Sequence, residues 1–133
     1  MVHPQFFGFP ERVGIHFDNL AFQKGIDAIE ETVRHANTFF HAQAPWKMSQ
    51  GEELSTILFL TYEACRISSV LLQPIVPDLA NRILSRLGMK PNERHLKTAQ
   101  LGGGPMMEIY GRPLGKDNGV PLQRIAIKNL DTT

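Results

Sequence analysis

Tryptophan occurs once in these 133 residues, at Trp46, inside the run Ala44-Pro45-Trp46-Lys47. Proline fixes the backbone, so this run presents a large aromatic ring at a rigid position with a cation beside it. An exposed indole next to Lys47 is what binding an unstacked nucleobase requires, because every base has a π-face and a phosphate. A buried plug closing a helix corner needs the same residue type, so the sequence leaves both roles open for Trp46. Other candidate chemistries are weaker. Glu31 and His35, four apart with His41 nearby, share a helix face as metal ligands do in bundles, but the next helix supplies only Glu52, Glu53 and Glu63 and no histidine. A solvated polar face explains them better. The stretch Gly111-Arg112-Pro113-Leu114-Gly115-Lys116-Asp117 has three residues between its glycines where a phosphate loop needs four, and Asp117 where the loop needs a hydroxyl. The run of glycines at 102–104 reads as a flexible break. Cys65 has no histidine at a motif spacing and is expected to be a small buried residue.

These residues need elements to position them. Phe22, Ile26, Ile29, Val33, Ala36 and Phe40 recur at steps of 4, 3, 4, 3 and 4, which predicts a helix over 18–41, with Asp18 or Asn19 as its cap. Leu54, Leu58, Thr61, Cys65, Ser68 and Leu72 repeat the same steps and predict a second helix. The connection over 43–51 is short enough to fold one helix back on the other, and it holds Trp46. Pro77 suits the first turn of a third helix, on which Leu79, Ile83 and Leu87 share a face, and Gly88 suits its left-handed end. A short basic helix is expected from Pro91 to about Ala99. Beyond the glycines, only 107–110 and 122–127 read as short strands. The first 17 residues, with Phe6, Phe7 and Phe9 among Pro4, Gly8 and Pro10, read as a loop that docks aromatic rings.

Composition narrows the function further. Hydrophobic residues at 42% and charged residues at 20% are those of a packed globular chain. Fourteen Lys and Arg against thirteen Asp and Glu leave a net charge of +1, so any recognition of a polyanion must be local. A single cysteine excludes an internal disulfide or a multi-cysteine zinc site. Charge and proline are expected to interrupt every apolar stretch before it reaches the roughly 18 residues of a membrane span, and the amino terminus has no recognisable targeting character.

Residues 36–40 (Ala-Asn-Thr-Phe-Phe), 44–47 (Ala-Pro-Trp-Lys), 63–67 (Glu-Ala-Cys-Arg-Ile), 71–77 (Leu-Leu-Gln-Pro-Ile-Val-Pro) and 83–88 (Ile-Leu-Ser-Arg-Leu-Gly) together resemble the carboxy-terminal anticodon-binding bundle of the methionyl-tRNA synthetase family, mitochondrial type. The likeness covers residues 18–88. Pro113-Leu114-Gly115-Lys116-Asp117, with Arg124-Ile125, is similar to the family's closing segment.

The resemblance implies an all-α antiparallel bundle with an irregular or short-strand tail. Residues 1–17 would be an aromatic loop left from a truncated preceding helix, 18–100 the bundle, and 101–133 a tail folding back on a catalytic domain. It implies methionine tRNA with its CAU anticodon as partner, the missing catalytic domain as another, and a mitochondrial-matrix location. Trp46 matches the family's base-stacking tryptophan, and Lys47 is placed beside it as a phosphate contact by adjacency. The family's other anticodon readers sit on the preceding helix and match no residue here. ATP and magnesium would serve the full-length ligase; no cofactor is expected in this chain. Lys47-Met48-Ser49 is followed by Gln50 and Gly51 and is not the family's catalytic signature. The sequence departs from the family tail at Pro121-Leu122-Gln123-Arg124. The rival reading is a helical protein-interaction piece that binds no RNA.

Overall fold

Gly8 adopts φ 79° and turns the chain into α1 (Phe9–Asp18), with Pro10 in the first turn where a missing N–H costs nothing. The computed structural model describes residues 8–102 and 112–123. Helix α1 replaces the loop expected over 1–17, as far as those residues are described. Phe9, Val13 and Phe17 follow one another at steps of four, and the first two are completely buried. Their spacing carries a helical face that the nearby prolines and glycines obscured.

Asp18 and Asn19 accordingly end α1 instead of capping α2 (Phe22–Gln43), whose N-cap is Ala21 with no side-chain cap. Ala21 donates its N–H to the His16 carbonyl at 2.8 Å and Leu20 to Phe17 at 3.0 Å, closing α1 with Leu20 left-handed at φ 57°. Across this turn Gly25 of α2 meets the Phe17 ring so closely that a Cβ there would lie 2.3 Å from a ring carbon. The glycine is what allows the two helices to approach.

α3 (Glu52–Leu72) is the central element and packs against α1, α2 and α4 (Pro77–Arg86). Its buried positions are Ile57, Ala64, Ile67, Val70 and Leu71, joined by Glu63, Arg66, Ser68 and Ser69. The stripe expected from Leu58, Thr61 and Cys65 is therefore displaced: Leu58 and Cys65 are exposed. A helix flanked by several neighbours buries more than one stripe, which a single 3.6-residue period does not represent. In α2, likewise, Ile29 is buried but Phe22 and Val33 are exposed, and Gly25 and Thr32 join the buried face. By length and a mean hydropathy of 1.2, α3 also passes as a membrane span, contrary to the sequence expectation, yet half of that stretch is buried inside the bundle. The core unites Phe9, Val13, Ile29, Ile67, Val70, Leu71, Leu84, Met89 and Ala99.

Pro77 stands in the first turn of α4 as expected. Gly88 is left-handed at φ 79°, and Met89 N–H reaches the Leu84 carbonyl at 3.0 Å to close the helix. The short basic helix expected after Pro91 is instead two 3-10 turns, Pro91–Glu93 and Leu96–Thr98. Thr98 explains the break: its hydroxyl donates within the segment to the Glu93 and His95 carbonyls, which stand 2.8 and 2.7 Å away, competing with continuous helix. No strand occurs among the described residues; 107–110 and most of 122–127 lie outside them. The described residues form an all-α bundle.

Residues 112–121 form a strap along α4. Gly115 donates its N–H to the Arg86 carbonyl at 2.9 Å, and Arg86 returns a bond from Nη1 to the Gly115 carbonyl at 3.0 Å. A Cβ on Gly115 would lie 2.0 Å from the Ser85 carbonyl oxygen, so only glycine permits this approach. The strap's first residue is anchored by a bidentate pair, Arg112 Nη1 and Nη2 to Glu93 at 2.8 and 2.5 Å. The hydrogen bond from Arg112 holds the Glu93 carboxyl below its ordinary value, and the Lys90 backbone N–H adds to it. A depressed carboxyl contributes stability that is present above its unfolded pKa and is lost as pH falls through the folded one. Strap docking should therefore weaken on acidification below about pH 4.3, the ordinary glutamate value. Following the Gly115 amide by NMR through an acid titration checks this; Arg112→Gln should move the transition upward, toward that ordinary value.

Candidate nucleic-acid interface

The corner between α2 and α3 is built by its backbone. Ala44 takes the left-handed conformation, φ 47°, and donates to the Phe40 carbonyl at 3.1 Å, capping α2 at Gln43, two residues before Pro45. A 3-10 turn over Pro45–Lys47 follows, closed by Lys47 N–H to Ala44 at 2.9 Å and Met48 N–H to Pro45 at 3.1 Å. Pro45 is the buried member of this turn. Trp46 is 60% exposed, so it does not fill the corner as a plug would.

Two rings on the last turn of α2 brace the indole. Phe40 lies 5.7 Å away by centroid, tilted 58°, and His41 lies 5.9 Å away at 67°. Phe40 and His41 contact each other at 5.8 Å, so the three rings form one cluster. Inclined ring contacts of this kind are favourable and fix the indole without covering it. Lys47 is exposed beside it, and its side chain makes no hydrogen bond or ion pair among the described residues. Chemically, the corner offers a pre-oriented apolar surface with an exposed cation beside it.

The structure does not assemble the alternatives. His41 joins the aromatic cluster, and among the described residues no three His, Cys, Asp or Glu side chains group as metal ligands around Glu31, His35 or any other residue. Arg112 to Asp117 belong to the strap, and Gly111 and the glycines at 103 and 104 lie outside the described residues.

Sequence reasoning missed a buried ion pair on α3. Glu63 and Arg66, one turn apart on α3, pair through two bonds of 2.7 and 2.9 Å with side chains only 3% and 5% exposed. Arg66 also donates to the carbonyls of Thr98 and Gln100, at 2.5 and 2.9 Å, and Glu63 accepts the Gly102 N–H at 3.1 Å. The pair thereby fastens the segment following the 3-10 turns to α3. The signal available in the sequence was two opposite charges at i, i+3 inside an otherwise apolar helix.

No family model matches the chain. The chain is 35% identical over 130 residues to the mitochondrial methionine–tRNA ligase of Takifugu rubripes, a match covering 92% of this chain and 22% of that protein. The mitochondrial methionine–tRNA ligase of Bos taurus is 36% identical over 125 residues, covering 87% and 21%. The chain thus spans about a fifth of the length of these relatives. Among solved structures, the apo form of Mycobacterium tuberculosis methionyl-tRNA synthetase superimposes with a TM-score of 0.66 at 35% identity, covering 75% of this chain and 22% of that one.

Proposed function

The chain belongs to the methionyl-tRNA synthetase family, and from that premise we propose that it serves methionyl-tRNA synthesis by binding the anticodon loop of methionine tRNA. The observation that carries the reading is the exposed Trp46, held on a rigid turn and braced by Phe40 and His41. An unpaired base of the CAU anticodon stacks on the indole, and Lys47 meets a neighbouring phosphate. A braced ring loses little freedom on binding, so stacking is not offset by an ordering cost. The described residues hold no grouping fit for a metal ion; ATP and magnesium, which methionine activation uses, belong in this reading to a catalytic domain outside these 133 residues. The mitochondrial relatives support a mitochondrial location, although the solved structure is bacterial.

A second reading, a helical protein-interaction piece, draws support from the exposed apolar side chains of Phe59 and Tyr62 on α3. Fluorescence separates the two, because Trp46 is the only indole. Titration with an RNA hairpin bearing a CAU loop should quench the emission more strongly than a hairpin with a scrambled loop. Equal or absent quenching would reject anticodon recognition and leave the protein-interaction reading.

A further inference from the structure

Between α4 and the strap lies a cavity of about 160 Å³, formed by none of the residues of the Trp46 corner. Its walls are Asn81, Arg82, Ser85 and Arg86 from α4, and Lys116 with residues 118–121 from the strap. Three cations in one small cavity stand out in a chain whose net charge is +1.

The cations are positioned without being consumed. Arg82 spends one guanidinium N–H on the Pro121 carbonyl at 2.8 Å, and Arg86 one on Gly115 at 3.0 Å. Each guanidinium carries five donors, so most of both forks stay available. Lys116 is exposed and its side chain makes no hydrogen bond or ion pair among the described residues. Asp117, next to Lys116 on the strap, accepts the Gly119 N–H at 2.9 Å and stands 4.0 Å from Arg86.

The neutral lining is biased the same way. Arg94 reaches over from the turn after Glu93 and donates to the Asn81 carboxamide oxygen at 2.7 Å and to the Ser85 hydroxyl oxygen at 3.1 Å. A guanidinium can only donate, so it fixes the Asn81 amide with its oxygen turned toward Arg94. Asn81 thereby keeps its NH₂ group, and Ser85 its O–H, as donors. A site of three cations and two spare donors favours an anion with several oxygens.

We propose that this cavity binds a backbone phosphate of RNA, as a contact separate from the Trp46 corner; the choice of RNA rests on the anticodon-binding reading. A phosphate contact carries no sequence information, so it contributes equally to CAU and scrambled hairpins and appears in the salt dependence. The test is the slope of log affinity against log salt for the 133-residue chain and for Lys116→Glu, with Lys116→Gln as the milder variant. Neither replacement removes a bond that holds the strap. Both variants should bind the two hairpins more weakly by the same factor, with a slope shallower by about 1, while the Trp46 quench at saturation stays unchanged. An unchanged slope in both variants, with the unaltered chain binding RNA, overturns the cavity and leaves the anticodon reading standing. Failure of the unaltered chain to bind either hairpin overturns both. Tight saturation by inorganic phosphate without any Lys116 effect on RNA affinity reassigns the cavity to a free anion and also overturns the proposal.

Discussion

Arg66→Met should lower the unfolding free energy by about 3 to 5 kcal/mol, the loss seen when one partner of a buried ion pair is removed. The substitution leaves Glu63, 3% exposed, without its counter-charge, and it strips the donors from the Thr98 and Gln100 carbonyls. Denaturant unfolding followed by far-UV circular dichroism measures the loss as a fall in midpoint at constant slope. Replacing Glu63 and Arg66 together by methionine should recover part of that loss, since no lone charge remains buried. Recovery should stay incomplete, because the carbonyls of Thr98 and Gln100 and the N–H of Gly102 would still lack their side-chain partners. Full recovery by the double variant would show that the pair is replaceable packing and that the segment after Thr98 needs no clasp.

Trp46→Ala carries the second large effect, and it falls on binding instead of stability. A base stacked on an aromatic side chain is worth about 1 to 3 kcal/mol, so affinity for the CAU hairpin should drop about 5- to 150-fold. Stability should move by no more than about 0.5 kcal/mol, as for other surface substitutions, because Trp46 is mostly in solvent and Pro45 is the residue buried beneath the turn. Trp46→Phe, which keeps a ring, should retain part of the affinity. A large stability loss in Trp46→Ala with unchanged RNA affinity would return the indole to a packing role. Filter binding and thermal melts on the same preparation distinguish the cases.

The corner that carries Trp46 was legible because its determinants are local. Pro45 disfavours helix at Ala44 and the periodic residues on either side favour it, so the turn follows from a few adjacent positions. The same holds for Pro77 and Gly88 at the two ends of α4. The faces were less legible. Choosing Leu58 and Cys65 over Ile57 and Ala64 required knowing that α3 has neighbours on several sides, and that is a property of the tertiary arrangement. Helix α1 was hidden for another reason: Pro4, Gly8 and Pro10 punctuate its approach so densely that the step of four linking Phe9, Val13 and Phe17 did not register as a period. The exposure of Trp46 is not legible in the sequence, since plug and platform call for the same residue, and the tertiary placement of the turn decides it. The Glu63–Arg66 clasp escaped because its purpose lies more than 30 residues away, at the carbonyls it holds.

The strap makes the molecule cooperative in two tiers. Residues 112–121 are fastened mainly by the bonds of Arg82, Arg86 and Arg112 and by the Gly115 amide, and none of their side chains belongs to the fully buried core. Apolar burial sets most of the free energy needed to open a segment, so the strap detaches at a small fraction of the cost of separating α3 from its neighbours. The strap is therefore expected to open locally while the bundle remains folded. Everything lined by Lys116 and Pro121 exists only in the strapped form, and a ligand seated there would close the strap by mass action in proportion to its occupancy.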